Sequence, residues 1–181
     1  MKYKLSIIIC IFMLSSCSID FEYGSPFPCF FCFDNSIHLN ELMASALTPY
    51  SNTFVRVRKK VSGKVNYCIL DTKSTSEDVP ITTEKENFAR YALGGNECII
   101  IGYSTLNERP VAYDGMCRYC YESSGRYITL NWHSETSVIC DKCHKIYNLL
   151  MNGISDDDTP TKLWPYHISA PSPFGIVSIG G

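Results

Sequence analysis

Residues 117–143, CRYCYESSGRYITLNWHSETSVICDKC, hold two Cys-x2-Cys pairs separated by nineteen residues. A Cys-x-x-Cys segment bends into a tight knuckle that puts both sulfurs on one side of an ion. Two such knuckles complete a tetrahedron with metal–sulfur distances of about 2.3 Å. The spacing Cys117-x2-Cys120-x19-Cys140-x2-Cys143 falls in the range of four-thiolate sites. It predicts that Cys117, Cys120, Cys140 and Cys143 converge, each pair sitting in a turn between strands. The spacing leaves three occupants open: a single Zn or Fe ion, a 2Fe-2S cluster, or two disulfides or free thiols.

Around the pairs the chain is written in short β-branched and aromatic runs bounded by Gly, Pro, Asn or Asp. Strands are predicted at 53–58, 64–70, 98–104, 110–114, 126–130, 136–140, 145–149, 163–168 and 174–180. Short strands at regular spacing indicate an all-β protein, a small β-sandwich or barrel. One short helix is predicted before them, with Leu39, Leu42, Met43 and Ala46 on one face, Asn40 as its cap and Pro49 as its stop. The polar stretch 71–90 is expected to be a long loop or a short helix.

The first residues concern destination rather than fold. Lys2 and Lys4 precede an apolar run from Leu5 to Leu14, shorter than the roughly 20 residues that span a bilayer. This is the pattern of a signal peptide. Leu14-Ser15-Ser16-Cys17 resembles the bacterial lipobox, so residues 1–16 are expected to be removed and Cys17 lipidated, with an ordinary secretory signal as the alternative. Residues 17–36, with Pro26, Pro28 and five phenylalanines, are expected to form an arm that lays aromatics onto a single domain over 37–181. The location expected is the bacterial cell envelope, with the membrane as partner through Cys17. Loss of Lys2 and Lys4 moves the net charge from −2 to −4, and nothing basic remains to track a nucleic acid backbone. A 45% hydrophobic content with 12 tyrosines supports a real core and excludes a disordered chain.

Of ten cysteines, Cys29, Cys32, Cys68 and Cys98 lie outside both the signal and the paired motif. Cys29-Phe-Phe-Cys32 is expected to form a disulfide, internally or to Cys68 and Cys98. Those two sit in apolar strands as buried thiols or as a mutual bridge. None of the four histidines falls in a nucleophile or zinc-protease motif, and no phosphate-binding loop is present. His133 and His144 are near the pairs and are expected to remain outside the ligand set. Tyr119, Tyr121, Trp132 and Tyr147 are expected to pack over the loops, with shielding of a cluster or a surface for a redox partner as the alternatives. No residues are set out for catalysis.

The longer order, from PVAYDGMCRYC at 110–120 through ICDKCHKIYNLLMNG at 139–153 to PFGIVSIGG at 173–181, resembles the Rieske 2Fe-2S domain. It is especially similar to a divergent group of Rieske-like bacterial lipoproteins that share the lipobox and a YDGMC-type first loop. The resemblance spans about residues 97–181. It implies a small β-sandwich carrying a two-loop cluster subdomain at about 111–153, iron–sulfur binding, electron transfer and a redox partner in the envelope. This chain departs from the family in its ligands, which there are two Cys and two His. Cys143 stands where the family has histidine, and Cys120 comes one residue later than the first-loop histidine. Four thiolates would lower the potential of a cluster from about −150 to +300 mV toward about −400 mV. They also bring the subdomain close to a rubredoxin or zinc-ribbon site.

Overall fold

The computed structural model describes residues 24–180; the expected signal and Cys17 lie outside them. Strand β1 (Cys29–Asp34) leads to two short helices, α1 (Asn35–His38) and α2 (Glu41–Leu47). Strands β2 (Phe54–Ser62), β3 (Val65–Asp71), β4 (Ser76–Pro80), β5 (Ala92–Leu93), β6 (Cys98–Ser104) and β7 (Arg109–Asp114) follow. Helix α3 (Arg118–Ser124) precedes four short strands, β8 (Asn131–Ser134), β9 (Ser137–Ile139), β10 (Ile146–Asn148) and β11 (Ile154–Ser155). The chain closes with β12 (Pro165–Ser169) and β13 (Ile176–Gly180). All named pairings are antiparallel. They build a nine-stranded sheet, β4-β3-β2-β6-β7-β12-β13-β1-β5, and a four-stranded sheet, β11-β10-β9-β8. The all-β expectation therefore holds.

Side-chain alternation explains the two layers. Along β6, Ile99 and Ile101 face one core while Ile100 faces another, and all three are fully buried. A continuous apolar run of this kind needs both faces covered. On the first face the sheet curls upon itself, since Val79 of β4 and Leu93 of β5, from its two edges, join the same core as Phe31, Phe33, Val57 and Ile179. Helix α2 adds Met43, Ala46 and Leu47 to that core. Its N-cap is Asn40, whose side chain accepts from the Met43 N–H at 2.9 Å. On the second face, Phe54, Ile100, Val111 and Tyr113 pack against Val138, Tyr147 and Leu149 of the small-sheet region.

Several elements differ from expectation. Residues 29–34, in the stretch assigned to the arm, form β1 between β13 and β5, because Phe31 and Phe33 alternate into the core. The polar stretch 71–90, expected as a long loop or a short helix, contains β4 and two 3-10 turns. Buried Glu86 anchors it, accepting from the Asp34 N–H at 3.0 Å and the Thr83 hydroxyl at 2.7 Å and facing His38 Nε2 at 2.7 Å. The run 126–130 makes only one bridge, Thr129 to Met116.

For Cys68 and Cys98 the buried-thiol reading holds and the mutual bridge fails on register. Cys68 lies opposite Lys59, and Cys98 lies opposite Arg58 on the other side of β2. Adjacent residues of a strand point to opposite faces, so the two thiols look away from each other across about 9–10 Å of sheet. A disulfide needs Cα atoms about 4.4–6.8 Å apart. Cys29 and Cys32, three apart on one extended strand, point to opposite faces for the same reason. All four are free thiols.

A charge cluster around the buried Asp71 joins the sheets. The Asp71 carboxylate accepts from Arg56 at 2.8 and 2.9 Å, from Arg58 at 3.0 Å and from Trp132 Nε1 at 2.9 Å. Arg56 also donates to the Leu130 carbonyl at 2.9 Å. Trp132 is on β8, so this cluster ties the small sheet to the β2–β3 hairpin. Removing one partner of a buried pair strands the other, which costs about 3–5 kcal/mol. Asp71→Ala is expected to lose that much in denaturant unfolding; a loss under about 1 kcal/mol would show that the cluster contributes little.

Candidate metal centre

The first knuckle hangs from the end of β7. Gly115 donates to the Cys98 carbonyl at 2.8 Å, and a Cβ there would meet that oxygen at 2.9 Å as well as the Cys98 sulfur. Only glycine allows so close an approach. The loop base is then stapled by Cys117 N–H to the Ile128 carbonyl and Leu130 N–H to the Gly115 carbonyl, each 2.8 Å. Buried Asp114 fixes the turn by accepting from the Met116 N–H at 2.8 Å, the Gly95 N–H at 2.9 Å and the Tyr166 hydroxyl at 2.7 Å. Burial pushes its carboxyl above the ordinary range, although these donors oppose the shift.

Cys117 is the N-cap of α3, and Cys120 lies in its first turn. The expected turn between strands is therefore a short helix. Gly125, at φ +63°, stops that helix by donating to the Tyr121 carbonyl at 2.8 Å. The second pair does form a turn between strands, closing the β9–β10 hairpin. There Cys140 N–H donates to the Lys145 carbonyl at 3.0 Å, and His144 N–H to the Cys140 carbonyl at 2.8 Å. His144 adopts φ +61° to complete the bend.

The two knuckles bring the four predicted sulfurs together. Cys117 Sγ and Cys143 Sγ stand 3.6 Å apart, as do Cys120 Sγ and Cys140 Sγ. All four lie within 4.8 Å of one another. Cys117, Cys120 and Cys140 are buried, and Cys143 is partly exposed. Among the described residues no histidine joins this cluster; His133 and His144 are exposed. This donor set suits a soft or borderline metal ion.

The electrostatics favour a cation. Burial pushes the Cys117 thiol well above its ordinary range, and burial with the neighbouring sulfurs pushes Cys120 up to about 12. Burial also acts on Cys140, but the N–H groups of Cys143 and Lys142 point at its sulfur and hold it below the ordinary value. A metal ion supplies the charge that lets the remaining thiols ionise.

Tyr147, expected first of all to pack over the loops, also makes a polar contact with a candidate ligand. Fully buried on β10, its hydroxyl lies 3.3 Å from Cys117 Sγ, and the Tyr119 N–H points at its oxygen. The buried position inside a strand is legible in the sequence; the hydrogen bond is not. Beside the site, Lys145 is buried and donates to Asp157 at 2.6 Å and the Thr159 carbonyl at 2.8 Å. This pins the 156–159 loop along a groove that reaches Cys143.

Comparison with family models, with curated proteins and with solved structures finds no match to this chain.

Two predictions follow from this geometry. Tyr147→Phe keeps the ring and removes the hydroxyl, and is expected to weaken metal binding about tenfold, the low end for a group holding a ligand. Equal affinity in a competition titration would show the hydroxyl to be a bystander. Since Cys117 and Cys120 hold protons at pH 7, binding one ion there is expected to release at least two protons. Affinity should therefore rise with pH, as an unbuffered titration with proton counting can check.

Proposed function

We propose that this chain is an exported, lipid-anchored envelope protein whose Cys117, Cys120, Cys140 and Cys143 hold a single metal ion, zinc or iron, as a clamp between its two sheets. The sulfur spacing carries this reading. A tetrahedral ion with metal–sulfur bonds of about 2.3 Å needs sulfurs about 3.8 Å apart, and the cross-knuckle pairs stand at 3.6 Å. A 2Fe-2S cluster divides its thiolates between two irons, so sulfurs on different irons must stand farther apart than sulfurs on one. The 4.8 Å limit on every pair favours one ion.

The clamp has mechanical work to do. The four-stranded sheet has strands of 4, 3, 3 and 2 residues, too short for stability on its own. Structural thiolate sites contribute on the order of 10 kcal/mol in peptides that are unfolded without metal; here the contribution falls on the small sheet and the first knuckle, while the nine-stranded sheet has its own core. Zinc in the site gives a structural module. Iron gives a one-electron carrier, which keeps the redox role implied by the Rieske-like order of segments. The envelope location rests on residues 1–17, and no helix among the described residues is long and apolar enough to cross a membrane.

The deciding experiment is metal and acid-labile sulfide analysis, with a visible spectrum, of protein purified without oxygen. One zinc or iron per chain without sulfide is the expected result. Two irons with two sulfides would assign a 2Fe-2S cluster, and no metal would remove the reading. Cys120→Ser and Cys143→Ser are each expected to lose most of the metal. Separately, Cys17→Ala is expected to move the protein from the membrane to the soluble fraction; continued membrane association would rule out the anchor.

A further inference from the structure

Residues 24–28 form a strap that no role has yet absorbed. The Phe27 ring makes edge-on contacts with Tyr121, Tyr127 and Trp164 at centroid distances of 5.0, 5.6 and 5.7 Å. Tyr121 is in α3, one residue after Cys120, and Tyr127 follows the helix stop. On the other side of the strap, Ser25 Oγ lies 2.9 Å from the Tyr166 hydroxyl. That hydroxyl donates to Asp114 at 2.7 Å, and Asp114 accepts from Met116, the residue before Cys117. The Gly94 N–H donates to the Pro28 carbonyl at 3.3 Å. The strap thus reaches the first knuckle by two routes, one aromatic and one through hydrogen bonds.

We propose that seating of this strap and occupancy of the four-thiolate site are thermodynamically coupled, so that the N-terminal segment reports whether the site holds metal. The inference rests on the metal-binding reading. Helix α3 has seven residues, too few to persist without tertiary support. Its N-terminal turn carries two of the four sulfurs, and its flank carries Tyr121, one of the three rings around Phe27. An ion fixes the turn and thereby the socket. Without the ion, convergent thiols no longer hold the turn, and Tyr121 and Tyr127 lose their fixed places. Coupling between two sites is reciprocal: if metal tightens the strap, the seated strap tightens metal by the same factor.

The test uses the full chain and zinc. Phe27→Ala is expected to weaken zinc binding about tenfold in competition with a chromophoric chelator. Phe174→Ala, an exposed aromatic outside the socket, is expected to leave affinity unchanged. In the unmodified chain, stripping zinc is expected to speed hydrogen exchange at the Gly94 amide at least tenfold while the β6 amides stay slow. This second measurement decides the matter should Phe27→Ala not fold. Equal affinity in Phe27→Ala with unchanged exchange at Gly94 would overturn the coupling. So would faster exchange everywhere, which would mark the ion as a support of the whole fold. A chain that binds no zinc or iron at all would overturn the metal reading itself.

Discussion

Four sulfurs held within 4.8 Å of one another set a condition that much of this molecule answers. Thiols so close cannot all ionise beside one another in a buried place without a cation, and as neutral groups they make a poor core. The chain nevertheless spends a glycine, a buried carboxylate and a left-handed histidine on bringing them together. Gly115 lets the first knuckle approach Cys98, Asp114 holds its turn, and His144 bends the second. Local arrangements so specific at every step are the mark of a site rather than of incidental packing.

The second layer follows from this condition. The nine-stranded sheet buries one face by curling, but Phe54, Ile100, Val111 and Tyr113 face outward and need a cover. The small sheet provides it, and is fastened at two places that differ in chemistry. At one end the Asp71 cluster grips Trp132 and the Leu130 carbonyl. At the other, the β9–β10 hairpin meets α3 through the four sulfurs. The ion pairs position the cover, and on the metal-clamp reading an ion between the sulfurs would lock it.

What could be read from the chain was whatever repeats at short range. Cys-x2-Cys spacing found all four sulfurs, and β-branched runs such as CIIIGYS at 98–104 found the long strands, because both signals are local. Strand β6 is matched residue for residue. The misses arise from long-range pairing. CFFCFD at 29–34 resembles an aromatic arm until β13, at the other end of the chain, gives it a partner. The two-residue strands β5 and β11 carry no periodicity at all. Helix α3 was hidden by its own cysteines, although Gly125 marks its end. Disulfides were inferred from cysteine count, whereas pleat direction, which depends on register, keeps those sulfurs apart.

The pairing of β1 with β13 also bears on when this protein can fold. Phe31 and Phe33 meet Ile179 and Val177, so the earliest described strand is completed by the last described one. Loop closure over nearly the whole chain must come before that contact forms. Until Gly180 has left the ribosome, the large sheet lacks β13, the strand that joins β1 to β12. The large sheet of such a chain therefore closes late, after most of its strands have been made.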